Sequence, residues 1–214
     1  MTAEVRAVLV DYGGVLTNPI QESLASFAMR HGLTAGQINT AVKQVSEREG
    51  YLLMGALETG LISEVEVLRK VSIELTRITG RVVELVEYRE QWFDCRVPNH
   101  EFIDYLSGLP GRGLALGLLT NNVREWRTSW RAGVPVALFD CIVDSSAEGV
   151  RKPDPEYYRI ALRRLHEFGI SPEACLMVDD IEANCRQAVT AGMRAVRFSN
   201  TEHTITAIER ELKP

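Results

Sequence analysis

Short apolar runs of buried-strand length recur along this chain, and their spacing constrains the fold more than any other feature. Residues 7–10, 114–119, 139–143, 175–178 and 194–198 form such runs. Helical-period segments follow the last four of them, over about 123–131, 156–168, 180–191 and 201–212. Strand and helix alternating at this spacing predict an α/β fold: a parallel sheet of about five strands with helices on both faces and right-handed crossovers. The first run stands apart. No convincing strand follows it until after residue 97, and a block this long exceeds a simple crossover. Capping-box patterns at Thr34–Gln37 and Ser63–Glu66 start helices within the block, and further helices are expected over 19–30 and 81–92. The block reads as a helical insert, with another helix opening at Pro98 and Asn99.

A chain of 214 residues can bury a substantial core, as one large domain or a core with a smaller insert. Its apolar fraction of 45% and charged fraction of 25% are those of an ordinary globular protein. A net charge of −5 without a basic block argues against nucleic acid or a membrane surface as partner. No run approaches bilayer-spanning length and the first residues lack a signal-peptide pattern, so a cytoplasmic location is expected. The four cysteines lack close paired spacing and read as buried, inert thiols. The four scattered histidines read as surface or capping residues.

Chemistry enters at the carboxyl ends of the predicted strands, where open α/β sheets place ligands. Asp11 ends the first run and is followed by Gly13 and Gly14, which let main-chain N–H groups approach an anion. Thr120 and Asn121 end the second, Lys152 lies in the loop beyond the third, and Asp179 with Asp180 ends the fourth. Each has an ordinary reading as a cap or solvated charge. Together they suggest phosphoryl transfer. Asp11 is a candidate carboxylate nucleophile, and Asp11, Asp179 and Asp180 offer hard oxygen ligands suited to Mg²⁺. Thr120 and Asn121 would orient the phosphate, and Lys152 would neutralise charge on Asp11 and the transferring group.

The stretches Asp11-Tyr-Gly-Gly-Val-Leu, Leu119-Thr-Asn-Asn, Arg151-Lys-Pro-Asp-Pro and Met177-Val-Asp-Asp-Ile-Glu-Ala-Asn184 resemble the four motifs of the haloacid dehalogenase superfamily. Their wording is most similar to the N-terminal phosphatase domain of soluble epoxide hydrolase and its stand-alone bacterial relatives. The resemblance implies a Rossmann-like three-layer core over 1–16 and 98–214, with a helical cap of the first type over 17–97. It implies Asp11 as nucleophile and metal ligand, Thr120 and Asn121 as phosphate ligands, and Lys152 as the stabilising cation. Asp179 and Asp180 become the metal-binding acids, Asp180 the more direct, and Asn184 orders a metal-bound water. The implied activity is Mg²⁺-dependent hydrolysis of a small phosphorylated metabolite through an aspartyl phosphate.

Position 13 departs from the pattern. Family phosphatases usually carry Asp there, giving a main-chain carbonyl to the metal and a side-chain general acid and base. Gly13 keeps the carbonyl and lacks the acid, a group typically worth ~10²–10⁴-fold. Weakened or leaving-group-selective turnover is therefore expected, with aryl, acyl and sugar 1-phosphates favoured. A phospho-ligand binding or regulatory protein is the rival reading. Dehalogenation of a 2-haloacid is a weaker one, because such relatives usually lack the acidic pair present here as Asp179 and Asp180. Substrate choice is expected to lie in the insert. The stretch 53–60 is a candidate junction facing the site, whereas Arg48, Arg69 and Arg77 read as solvated helix-face residues. Trp126 and Trp130 read as helix-packing residues.

Overall fold

The computed structural model describes residues 3–86 and 88–213. Met1, Thr2 and Pro214, at the ends of the expected core segments, and Glu87, inside the helix expected over 81–92, lie outside the described residues. Five parallel strands form the sheet among the described residues: β1 (Ala7–Val10), β2 (Ala115–Thr120), β3 (Cys141–Asp144), β4 (Cys175–Asp179) and β5 (Arg194–Arg197). Their spatial order is β3-β2-β1-β4-β5, so β1 is central, paired to β2 and β4 with Val10 opposite Leu118 and Val178. This is the parallel α/β sheet that the strand spacing predicts.

Alternate residues of β1 face opposite layers. Val8 and Val10 join a core with Phe102, Leu106, Trp130 and Ile208, whereas Ala7 and Leu9 join one with Tyr157, Ala161, Leu165 and Met177. Both faces of the central strands are thus covered, which explains their continuous apolar sequence. Gly117 in β2 serves the second layer: a Cβ there would collide with the Leu9 side chain.

Between Thr17 and Pro98 the described residues form five α-helices: α1 (Ile20–Arg30), α2 (Ala35–Glu49), α3 (Leu53–Glu58), α4 (Glu64–Thr79) and α5 (Tyr88–Asp94). Both expected N-caps form, Thr34 accepting from the Gln37 N–H at 3.2 Å and Ser63 from that of Glu66 at 3.3 Å. Gly50 and Gly80 end α2 and α4 in left-handed conformation. The chain leaves and rejoins the sheet at adjacent points. Thr17 and Pro98 form an antiparallel bridge, and the Asn18 and Asn99 N–H groups donate to the carbonyls of Val97 and Leu16.

One helix is shorter than its periodicity predicts. Over 81–86 the backbone is non-helical, and α5 starts only at Tyr88. The Val83 and Leu85 N–H groups donate to the hydroxyls of Thr76 and Ser72 on α4, at 3.0 and 3.1 Å. Side-chain acceptors on the neighbouring helix replace the intrahelical carbonyls, and β-branched Val82 and Val83 favour the extended form.

The remaining helices are α6 (His100–Ser107), α7 (Arg127–Ala132), α8 (Ser145–Glu148), α9 (Pro155–His166), α10 (Glu182–Thr190) and α11 (Thr201–Glu211). The short helices α3 and α8 fall where sequence alone marked a helix junction and a polar loop. All four cysteines are free and buried, as expected. No helix among the described residues is long and apolar enough to cross a membrane.

Candidate active site

Parallel strands end at one edge, and that edge gathers the acids and the lysine. The Asp11 N–H continues the ladder beyond β1 by donating to Val178 at 2.9 Å, which holds the Asp11 side chain beside the end of β4. Lys152, only 1% exposed, reaches in from the loop before α9. Its Nζ donates to Asp11 Oδ1 and to Asp179 Oδ2, each at 2.7 Å. Burial opposes the lysine charge, but Asp11 and Asp179 outweigh it and hold the ammonium above its ordinary range.

Asp179 and Asp180 adjoin in sequence yet differ in their surroundings. Asp179 Oδ1 accepts from the Ile181 N–H and from Asn184 Nδ2, both at 2.9 Å, and Asn184 Nδ2 also lies 3.1 Å from Oδ2. Both oxygens of Asp179 are therefore engaged. Asp180 Oδ1 is buried without a hydrogen-bond partner. A Cβ on Gly14, whose φ is +88°, would come within 2.5 Å of Asp180 Oδ2, so glycine there leaves room for this carboxylate.

Oxygens of Asp11, Asp179 and Asp180 lie within 4.8 Å of one another. Three carboxylates facing one ammonium leave an excess of negative charge in a buried place. Burial pushes Asp11 up to about 7, with Lys152 opposing and Asp179 and Asp180 adding to the rise. Burial and then Asp179 likewise raise Asp180, against Lys152. An all-oxygen cluster with surplus negative charge and an orphaned buried carboxylate oxygen fits a hard divalent cation.

Other residues assigned from sequence lie at the same edge in different relations. Asn121 clamps the Lys152 backbone: its Nδ2 donates to the Lys152 carbonyl at 3.0 Å, and its Oδ1 accepts from the Lys152 N–H at 2.8 Å. Thr120 is 1% exposed, and Asn122 Nδ2 lies 3.4 Å from its hydroxyl. Asn184 commits its amide N–H₂ to Asp179. Gly13 lines the cavity above Asp11, which has a volume of about 180 Å³.

The cavity walls include Met54 and Glu58 from the stretch 53–60, expected to face the site, together with Ile20, Tyr88, Trp92, Phe93 and Arg96, to which the sequence assigned no role. Tyr88, Trp92 and Phe93 of α5, with Ile20 of α1 and Met54 of α3, face Trp126 from the loop after β2. Trp126 Nε1 donates to Glu64 Oε1 of α4 at 2.6 Å, so this tryptophan joins the insert to the sheet edge, whereas Trp130 packs 6.1 Å from the Tyr12 ring. Glu58 enters the cavity from α3 and pairs with Arg151 at 2.8 Å. Burial raises the Glu58 carboxyl, with Arg151 and Lys152 opposing. The Ser145 hydroxyl ties the helices to the edge by donating to the Glu58 carbonyl at 2.6 Å. Arg96 approaches Gly13 so closely that a Cβ there would meet its Nη2 at 3.2 Å. Arg48 and Arg77 do not reach the cavity; both bind Glu74.

This geometry accompanies a clear family relationship. The model of the haloacid dehalogenase-like hydrolases matches residues 5–192, and the chain belongs to that family of hydrolases. The chain is 39% identical over 94 residues to phosphoserine phosphatase of Thermus thermophilus, covering 43% of this chain and 36% of that protein. It is 27% identical over 170 residues to flavin mononucleotide hydrolase 1 of Arabidopsis thaliana, covering 75% and 62%. In both cases the match spans less than two thirds of the relative. A HAD-like family hydrolase from Porphyromonas gingivalis superposes with a TM-score of 0.66 at 26% identity, covering 99% of this chain and 100% of that one. A HAD family enzyme from Bacteroides thetaiotaomicron, solved with magnesium and inorganic phosphate, shares the fold with a TM-score of 0.62 at 21% identity, covering 91% and 94%.

Proposed function

We propose that this hydrolase is a Mg²⁺-dependent phosphatase of a small phosphorylated metabolite, acting through an aspartyl phosphate on Asp11. The observation carrying this reading is Lys152 Nζ, 2.7 Å from both Asp11 and Asp179, beside the partnerless Asp180 Oδ1. Asp11, Asp180 and the Gly13 main-chain carbonyl are the proposed ligands of the cation, with Asp179 beside them. When bound, the ion offsets the charge of the acids and of the substrate phosphate.

An Asp11 carboxylate oxygen attacks phosphorus, and the ester P–O bond breaks with its electron pair on the leaving oxygen. Lys152 keeps Asp11 oriented and stabilises charge at the transfer. Water then attacks the aspartyl phosphate, releasing inorganic phosphate and restoring the carboxylate. Asn121 acts on Lys152 through its two backbone bonds, and Asn184 holds Asp179 for the same lysine. Thr120 and Asn121 remain the proposed phosphate-side residues at the end of β2. Helices α1–α5 are read as a cap, because α1, α3 and α5 bring Ile20, Met54, Glu58, Tyr88, Trp92 and Phe93 to the cavity that Asp11 also lines. The aligned phosphoserine phosphatase of Thermus thermophilus and flavin mononucleotide hydrolase of Arabidopsis thaliana support the class of reaction.

Phosphate release from a panel of metabolite phosphates, with Mg²⁺, tests the reading. Asp11→Asn is expected to lower turnover by at least ~10⁴-fold. Gly13 favours one rival, a phospho-ligand binding protein that does not turn over. Phosphate binding without Asp11-dependent release would establish that rival.

A further inference from the structure

The cavity over Asp11 pairs a charged floor with an aromatic side. Tyr88 and Trp92 are stacked, with centroids 5.8 Å apart and planes 15° from parallel. Trp126 tilts against both, at 5.7 and 5.9 Å. The polar side chains that also line the cavity, among them Glu58, Asn121, Arg151 and Lys152, are largely engaged with one another. Glu58 is paired with Arg151, and Asn121 is bound to the Lys152 backbone. At about 180 Å³ the space suits a small ligand.

Arg96 is the polar side chain that borders position 13. Its guanidinium lies 5.7 Å from the Tyr12 ring centroid and 5.9 Å from that of Trp92, in reach of cation–π attraction. It donates to Ser23 Oγ at 3.1 Å and to Thr17 Oγ1, two of the five N–H donors of a guanidinium. Its Nη2 also borders the space that a side chain at position 13 would enter. A hydrogen-bond donor therefore stands where this chain lacks the acid.

We propose that the substrate is a phosphate monoester of a flat aromatic alcohol, its ring against Tyr88, Trp92 and Trp126 and its departing oxygen hydrogen-bonded by Arg96. The proposal rests on the phosphatase reading and narrows its substrate class. Asp11 forms the bond to phosphorus, the P–O(aryl) bond breaks, and the electron pair leaves on the aryloxide. Arg96 transfers no proton; it stabilises the anion, which water protonates after departure. A phenolic oxygen has a pKa near 10, against about 15.7 for water, so an aryloxide departs unprotonated far more readily than an alkoxide. One feature thus accounts for both the aromatic wall and the glycine at position 13. Burial pulls the Arg96 guanidinium below its ordinary value, with Tyr12 and Asp11 opposing, and a further anion beside it is favoured on the same ground.

The test combines rates with binding. With Mg²⁺ present, kcat/KM is measured for phenyl phosphates of graded leaving-group pKa, glycerol phosphate, a sugar 1-phosphate and acetyl phosphate. In Asp11→Asn protein, tryptophan fluorescence is titrated with phenylphosphonate and methylphosphonate. Aryl esters are expected to exceed glycerol phosphate by at least ~10²-fold, and phenylphosphonate alone to quench. Arg96→Gln should lower kcat on phenyl phosphate by ~10²–10³-fold with little change in KM, less on 4-nitrophenyl phosphate. Arg96→Lys should restore part of the loss, and thermal melts establish that both variants fold. Equal aryl and alkyl rates, an Arg96→Gln effect uniform across the series or confined to KM, or equal quenching by both phosphonates would overturn the proposal. Release only from acetyl or alkyl phosphates would overturn the aryl assignment while keeping the phosphatase reading. No Asp11-dependent release from any ester would overturn that reading itself.

Discussion

The sheet edge and the helices above it solve opposite problems. At the edge, buried charges are locked by short bonds: Lys152 by Asp11 and Asp179, Asp179 by Asn184 and the Ile181 N–H, the Lys152 backbone by Asn121. Above it, the wall is stacked aromatic surface, anchored at a few points such as Trp126 to Glu64 and Ser145 to the Glu58 carbonyl. A locked charge has one workable geometry, because misplacement leaves it buried and unpaired. Apolar surface tolerates many arrangements. Reaction type thus belongs to the edge, and selectivity is free to vary in the helices.

Removing the lysine gives the largest effect expected from this division. Lys152→Met leaves Asp11 and Asp179 facing each other without a cation, a loss of about 3–5 kcal/mol in denaturant unfolding, with Asp11-dependent turnover lost as well. Trp92→Leu should leave kcat on acetyl phosphate within about tenfold while weakening aryl binding. Comparable loss of acetyl phosphate turnover in both variants would break the division.

Cation binding should move both stability and rate with pH. The Asp11 carboxyl rises from 3.8 to about 7 on folding, so between those values the folded state holds more protons than the unfolded one. Without divalent cation, this group therefore lowers stability as pH rises through that window. The carboxylate is the reactive form, so rate should increase through about pH 7 at limiting Mg²⁺. Saturating Mg²⁺ competes with the proton and should shift that rise to lower pH and raise Tm. Asp180→Asn should remove most of the Mg²⁺-induced Tm shift. A pH profile and Tm indifferent to Mg²⁺ would remove the case for a cation among the three acids.

The edge was legible in the sequence because apolar runs ended in Asp11, Asp179 and Asp180, and parallel strands deliver their ends to one place. Lys152 was legible for the same reason, at the loop beyond β3. The backbone clamp formed by Asn121 was not, since it depends on how closely two loops approach. Arg96 and Gly13 are remote in sequence, and only the paired linkers at Thr17 and Pro98 bring them together. The helix expected over 81–92 is helical only from Tyr88, because Thr76 and Ser72, on another element, captured the N–H groups of Val83 and Leu85. Trp126 shows the ambiguity of an aromatic residue at helical spacing, since its indole N–H turned to the insert.

Restoring an acid at position 13 should do less than local sequence suggests. A Cβ there meets Arg96 Nη2 and Ile20 Cδ1 at 3.2 Å each, so an introduced carboxylate would pair with the guanidinium and stay ionised. Gly13→Asp alone is expected to change glycerol phosphate turnover by less than about tenfold, below the usual range for a general acid. Adding Arg96→Gln should release the carboxyl and raise the rate on the alkyl ester. A full ~10²-fold gain from Gly13→Asp alone would show that Arg96 does not govern this space.

The smallest effect is expected in the helices away from the cavity. Glu74 of α4 is 1% exposed and binds Arg77 Nε and Arg48 Nη1, each at 2.8 Å, linking α4 to α2. Hydrogen bonds from Arg77 and then Arg48 hold its carboxyl below the ordinary 4.5, against burial. A depressed folded-state value means stability that is present above 4.5 and lost as pH falls through the folded value. Both arginines remain largely in solvent, so Glu74→Gln should lower stability at pH 7 by no more than about 1 kcal/mol. Thermal melts at decreasing pH should bring variant and parent together below pH 4.5. Turnover of acetyl phosphate should be unchanged throughout, because this ion pair touches neither the floor nor the wall. A loss approaching that of Lys152→Met would mean that the packing of α2 on α4 sets the position of the edge charges, and the two regions would have to be treated as one mechanical unit.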